Sequence, residues 1–173
     1  MKKRMLYPLM LVFGLGFLVS CGGDDDQPGE TSKYVGKWEM VSLEYEGNYK
    51  AYQGNELLDE GTFSGQATDI TMVWEFLANE VKATGGFNLT MEYDMAPGME
   101  FTYPVAAATY EGSWSVDGSK MTFHFKTGEV SEANIISETE DTLVLSLPQT
   151  LKQSGFGGEN VFTMVNTMTL KRK

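Results

Sequence analysis

From residue 34 onward, apolar and polar side chains alternate with a period of two, so each segment must turn one face to a core and the other to water. Tyr110, Gly112, Trp114 and Val116 alternate with Glu111, Ser113, Ser115 and Asp117. After Asp117-Gly118, Met121, Phe123 and Phe125 alternate with Thr122, His124 and Lys126. Two alternating runs joined by a short Asp-Gly turn predict a β-hairpin. The same period recurs at Phe87, Leu89, Met91 and Tyr93, and at Leu143, Leu145 and Leu147, which follow a turn at Glu140-Asp141 and pair with Asn134 to Glu138. The last strand presents Phe162, Met164, Met168 and Leu170 on one face. Earlier strands are expected over 36–45, 70–77 and 80–84. Helical periodicity is scarce and no internal repeat is present.

Eight or more short strands predict an all-β fold, an antiparallel up-and-down β-barrel of about eight strands. Periodicity alone equally admits a β-sandwich. Closure would remove the unpaired edges that invite aggregation. The segments 46–69 and 94–108 are longer than a tight connection needs and leave the strand register open.

The first residues read as an address. Lys2, Lys3 and Arg4 precede an apolar run from Met5 to Val19, which ends in Leu18-Val19-Ser20-Cys21. About 15 apolar residues fall short of the roughly 20 that cross a bilayer as a helix. The segment resembles the signal peptide and lipobox of bacterial lipoproteins: Ser20 is small enough for a peptidase to approach, and the Cys21 thiol accepts a diacylglyceryl group. Residues 1–20 are therefore expected to be a signal peptide. Residues 21–33, with Asp24, Asp25 and Asp26 and no apolar side chain before Lys33, are expected to be an acidic flexible tether. The folded domain is expected over 34–173. The acidic triplet is similar to the export signal of lipoproteins displayed outside some Gram-negative outer membranes, and Gly22 lacks the Asp of an inner-membrane retention signal. That resemblance implies an outer-membrane location, with cell-surface display as its extension.

Charge and composition exclude several classes. The 173 residues carry 13 basic and 24 acidic side chains, for a formal charge of -11. A chain beginning at Cys21 would keep 10 basic residues against 24 acidic ones, or -14. Such a chain repels phosphate backbones, and no nucleic-acid partner is expected. One Cys and one His preclude a disulfide framework and a Cys-rich zinc site. Neither a cofactor nor a metal is expected, because three consecutive aspartates do not converge as alternating loop ligands do.

The order of motifs in the domain carries a second resemblance. Gly36-Lys37-Trp38 opens the first strand; Gly112-Ser113-Trp114 precedes the Asp117-Gly118 turn; Ile135-Ile136-Ser137 is followed by Asp141-Thr142-Leu143-Val144-Leu145; Met168-Thr169-Leu170-Lys171-Arg172 ends the chain. This order resembles bacterial lipocalin-like lipoproteins over nearly all of residues 34–173. The resemblance implies that Trp38 covers the closed end of the barrel and that Lys171 or Arg172 packs over its indole, making Gly36, Trp38 and Arg172 structural signature residues.

Met95, Pro97, Met99, Phe101, Tyr103 and Val105 concentrate adaptable and aromatic groups in what reads as a loop or irregular edge, with 155–158 as another such loop. These side chains either plug the barrel or rim an apolar pocket walled by Phe87, Met91, Phe123 and Phe125. His124 points away from Phe123 and Phe125 without oriented partners, so no catalytic residue and no enzyme is expected. The expected function is that of a membrane-anchored lipocalin-like binding protein. Its ligand would be a small apolar or amphipathic molecule held by Phe87, Met91, Met95, Met99, Phe101, Tyr103, Phe123 and Phe125. The alternative is an interaction module of the cell envelope with a filled barrel, a protein partner and no small ligand.

Overall fold

The computed structural model describes residues 32–94, 97–155 and 158–173. Cys21, the expected signal peptide, most of the expected tether, Met95 and Phe156 lie outside the described residues. A 3-10 turn, Ser32–Tyr34, leads into β1 (Gly36–Gln53), β2 (Glu56–Thr68), β3 (Val73–Phe76), β4 (Glu80–Tyr93), β5 (Glu100–Asp117), β6 (Lys120–Phe125), β7 (Val130–Glu138), β8 (Thr142–Gly155) and β9 (Gly158–Arg172). All the ladders are antiparallel, and β9 returns to pair with β1 from Trp38↔Arg172 to Gln53↔Gly158. The sheet thus closes in a ring.

Among the described residues nine strands occupy eight positions in that ring. β2 and β3 both lie between β1 and β4, β2 on their upper parts and β3 on their lower parts. The jog between them, at residues 69–72, meets irregularities on both neighbours: β1 shifts register between Met40 and Ser42, and β4 between Gly85 and Phe87. Asp69 takes a φ of 50°, and the Thr71 hydroxyl accepts from the Gly86 N–H at 3.0 Å. These features form a waist that divides the molecule into two halves.

Below the waist the barrel is complete and filled. Trp38, Phe76, Val81, Met121, Phe123, Leu143, Leu145 and Leu170 are all less than 2% exposed. Each such side chain contributes about 1.5–3 kcal/mol of burial free energy. The two-residue loop of the β5–β6 hairpin, Gly118-Ser119, depends on Gly118, whose φ of 57° suits a primed hairpin turn and strains a residue with a Cβ.

Arg172 closes the bottom. Its guanidinium carbon stands 4.3 Å from the Trp38 ring centroid. It donates to three carbonyls: Glu140 from Nε at 2.9 Å, Val35 from Nη1 at 3.0 Å and Lys33 from Nη2 at 2.6 Å. Gly36 leaves room for it, since a Cβ there would lie 2.9 Å from Nη1. Trp38 Nε1 donates to the Tyr34 carbonyl at 2.7 Å. Of the two basic candidates, Lys171 is exposed and Arg172 covers the indole. A second clasp joins the 3-10 turn to β7: the Tyr34 hydroxyl and the Lys33 ammonium both donate to Glu138. Those donors hold the Glu138 carboxyl below its usual range, while burial, then Glu138, pushes the Tyr34 hydroxyl up to about 12.

The strands run further than the alternation alone indicates. Segment 46–69, expected as a long connection, holds the upper part of β1 and all of β2; 100–108, expected as a loop or irregular edge, is the first half of β5. At 3.3 Å per residue, the 18 residues of β1 span roughly 60 Å. The upper halves hold a satellite core of Tyr45, Tyr49 and Phe63. Tyr45 reaches across Gly65 to donate to the Thr90 carbonyl at 2.8 Å, and a Cβ on Gly65 would stand 2.1 Å from that oxygen. Gly65 therefore lets β1 grip β4 across β2.

Trp38→Ala is expected to cost about 3–5 kcal/mol as a truncation in a packed site. Arg172→Ala is expected to cost less, about 1–3 kcal/mol, for the lost carbonyl bonds and ring contact. Urea unfolding measures both, and an unchanged midpoint in Trp38→Ala would remove Trp38 from the core.

Candidate functional site

Above the waist the wall is incomplete. The β5–β6 ladder begins only at Gly112↔Phe125, and the β7–β8 ladder ends at Asn134↔Ser146. Phe101–Tyr110 of β5 and Leu147–Gly155 of β8 consequently have no ladder partner on their outer edges among the described residues. Two strand positions are missing between them, so the gap spans three strand spacings, roughly 14 Å along the wall. Pro104 and Pro148 sit in these two edge segments, where a missing N–H is tolerated and where it blunts edge-to-edge pairing.

The inner face of this open half is apolar with a few polar groups. Facing residues in the ladders give one row of Leu147, Asn166, Tyr45, Gly65, Met91 and Phe101, and a second of Gln149, Met164, Gly47, Phe63 and Tyr93. Glycines at 47 and 65 remove side chains from the middle of both rows. The aromatic groups flanking them therefore touch: Phe63 lies 5.9 Å from Phe162 and 6.0 Å from Tyr93, and Tyr93 lies 5.9 Å from Phe101, all as ring-centroid distances. Leu89, Met91, Tyr93, Phe101, Phe162 and Met164 are half-buried, with part of each surface still in water. The polar groups on this face include the Tyr45, Tyr49, Tyr93 and Tyr103 hydroxyls and the Asn166–Gln149 pair, in which Asn166 Nδ2 donates to Gln149 Oε1 at 2.8 Å. Burial, then the neighbouring tyrosines, pushes the Tyr45 and Tyr93 hydroxyls above their usual pKa, so both stay neutral donors at physiological pH.

The structure separates the residues expected to wall a pocket. Phe123 is 0% exposed inside the filled half and cannot line an open site. Phe125 is half-buried, stacked on Phe123 at 6.1 Å, and Phe87 is half-buried against the same core. Met91 and Phe101 lie on the open inner face. Tyr103 shares that face opposite Leu89 and is 48% exposed, while Met99, 57% exposed, stands just before β5. Tyr45, Tyr49, Phe63, Phe162 and Met164 belong to the site and were missed. Their signal was the alternation of β1 itself, Tyr45-x-Gly47-x-Tyr49, masked because glycine occupies the middle inward position.

The outer face differs in character. The bend at Gly47 and Gly65 leaves two surface hollows of 490 and 570 Å³, whose linings include Glu44, Glu46, Glu92 and Glu100. A third hollow, of 610 Å³, surrounds Trp38, Glu138 and Arg172 at the closed end and belongs to the clasp described above. His124 is exposed on β6. No group of three or more His, Cys, Asp or Glu side chains is placed to hold a metal ion among the described residues.

Among curated proteins none matches the chain. The solved structures that match include a crystal structure of an uncharacterized protein from Bacteroides eggerthii DSM 20697. It is 9% identical to this chain and covers 75% of it and 98% of its own length, with a TM-score of 0.35, below what defines a shared fold. A family model described as a lipocalin-like domain matches residues 35–145. That span runs from the Gly36-Lys37-Trp38 opening through both hairpins of the filled half, and the chain belongs to the lipocalin-like domain family.

Proposed function

We propose that this protein is a lipid-anchored binding protein of the outer membrane. Its ligand is a small apolar or amphipathic molecule held on the inner face of the open half, against Met91, Tyr93, Phe101, Phe162 and Met164. The observation that carries this reading is the half-buried apolar face left between two free edges, in a domain whose other half is filled. Apolar floors with a few convergent polar groups are the usual form of small-molecule sites. A closed barrel admits ligand only at its mouth, whereas the gap between β5 and β8 gives lateral access to an extended chain.

The anchor is read from Cys21 and the acidic tether. The described chain begins at the closed end, beside Trp38 and Arg172. For strands of this length tilted by about 40°, the far rim of the open half lies roughly 45 Å from that end. An anchor at Cys21 would thus present the open face away from its own bilayer; display at the cell surface is read from the acidic triplet after Cys21. One observation favours a second reading, an envelope interaction module: the interior expected to hold a ligand in a closed barrel is occupied by Trp74, Phe76 and Phe123.

The full chain is expected to bind the neutral fluorophore N-phenyl-1-naphthylamine saturably. A Met91→Ala/Phe101→Ala variant is expected to bind it about tenfold or more weakly, since each truncation removes contact area worth about 1–3 kcal/mol. Absence of saturable binding, with no small molecule retained in native mass spectrometry, would leave the interaction module as the better reading. For the anchor, Cys21→Ala is expected to abolish metabolic labelling by an alkyne fatty acid and to release the protein from the membrane fraction. Unchanged labelling would exclude Cys21 as the lipidated residue.

A further inference from the structure

The aromatic inner face ends, at the rim of the open half, on two carboxylates. Tyr49 Oη donates to Asp59 Oδ2 at 3.2 Å. Asp94 accepts at Oδ2 from the Thr62 N–H at 2.9 Å and from the Thr62 hydroxyl at 3.1 Å, which fixes its position. Gly61 faces Tyr49 in the ladder, and a Cβ on it would lie 2.5 Å from Asp94 Oδ1 and 2.7 Å from the Tyr49 ring. The ring and the carboxylate oxygen therefore converge over a residue with no side chain. Loss of water first, then the Asp59 bond and the charges of Asp59 and Asp94, raises the pKa of the Tyr49 hydroxyl. The neighbouring rings pack edge to face, Tyr49 on Tyr93 at 5.8 Å and Phe63 on Phe162 at 5.9 Å.

Charge in the open half is predominantly negative. Segments 44–68, 88–94, 100–110, 147–155 and 158–165 carry nine carboxylates, Asp59 and Asp94 among them, against Lys50 and Lys152. Both lysines alternate with inward residues, so they face outward, and each is paired, with Glu60 at 3.7 Å and Glu159 at 3.5 Å. Among the described residues no ammonium or guanidinium stands on the inner face of this half. A fatty-acid carboxylate lying there would meet two aspartates and no cation.

We propose that the ligand of the open half is a cationic amphiphile, its ammonium head seated between Asp59 and Asp94 against the Tyr49 and Tyr93 rings, and its chain laid along Phe63, Phe162 and Met164. This deepens the binding reading above and rests on it. Carboxylates supply charge, and aromatic faces supply the quadrupole attraction by which proteins recognise alkylammonium groups. The site is open to water, so its preference is expected to weaken as salt rises.

The test is isothermal titration of the full chain, below micellar concentrations, with three single-chain dodecyl compounds: dodecyltrimethylammonium, dodecanoate and the neutral dodecyl maltoside. Dodecyltrimethylammonium is expected to bind about tenfold or more tightly than dodecanoate, with the maltoside between them. Asp59→Asn/Asp94→Asn is expected to lose most of that preference while retaining the maltoside. Glu140→Gln/Asp141→Asn, which removes the same charge at the closed end, is expected to keep it. Equal or tighter binding of dodecanoate, or equal losses in the two double variants, would overturn the cationic head group and leave the binding reading standing. Saturable binding by none of the three would overturn the binding reading itself. The comparison of head groups on the unmodified chain decides the question even where the aspartate variants fold poorly.

Discussion

The pairing of the last strand with the first is the contact on which the rest of the molecule depends. From Trp38↔Arg172 to Gln53↔Gly158 it uses the whole length of β9, and it converts a meander into a ring. At its lower end the constraint becomes specific. Arg172 stands over the Trp38 ring and donates to three carbonyls, those of Lys33 and Val35 before β1 and of Glu140 in the β7–β8 turn. A guanidinium that satisfies three backbone acceptors while covering an indole fixes the turn before β1, the end of β9 and the barrel floor together. Lysine, a single point charge, could not make that set of contacts.

The two halves then follow from strand length. β6 and β7 are 6 and 9 residues long, whereas β1 and β5 have 18 each. Only the lower part of the ring has all eight positions occupied, and only there do residues from every side meet in a dry core. The upper part curls without closing. Its curl is held by aromatic side chains crossing glycines, as Tyr45 does over Gly65, so the same residues that stabilise the bend form the floor of the open face. Fold and site are therefore built from one device: small residues in the middle of inward rows, with large rings reaching over them.

Much of the filled half was legible in the sequence. The hairpin around Gly118, the β7–β8 pairing and the Gly36-Lys37-Trp38 opening all appear as uninterrupted alternation or as a motif with a mechanical reason. The open half was far less legible, for a physical reason. Gly47, Gly61 and Gly65 occupy inward positions and carry no hydrophobicity, so β1 beyond Tyr45 and β2 read as connection although they are continuous strands. Phe101 to Val105 read as a loop because Pro104 and polar neighbours interrupt the pattern; they belong to an edge strand, where proline costs little. The assignment of Phe123 to a pocket wall failed because period two gives the face of a strand and not the depth of the barrel at that level. No local signal announces that β6 and β7 stop short, and the gap they leave defines the candidate site.

The central claim, a ring complete below the waist and open above it, is tested most directly by amide hydrogen exchange resolved to single residues on the full chain. Slow exchange is expected throughout Met121–Phe125 and Leu143–Leu145. Alternating fast exchange is expected along Phe101–Tyr110 of β5 and Leu147–Gly155 of β8, where every second N–H points into the gap. Uniform protection along both edges, equal to that of the lower strands, would mean that the wall is closed above the waist, and would contradict the account.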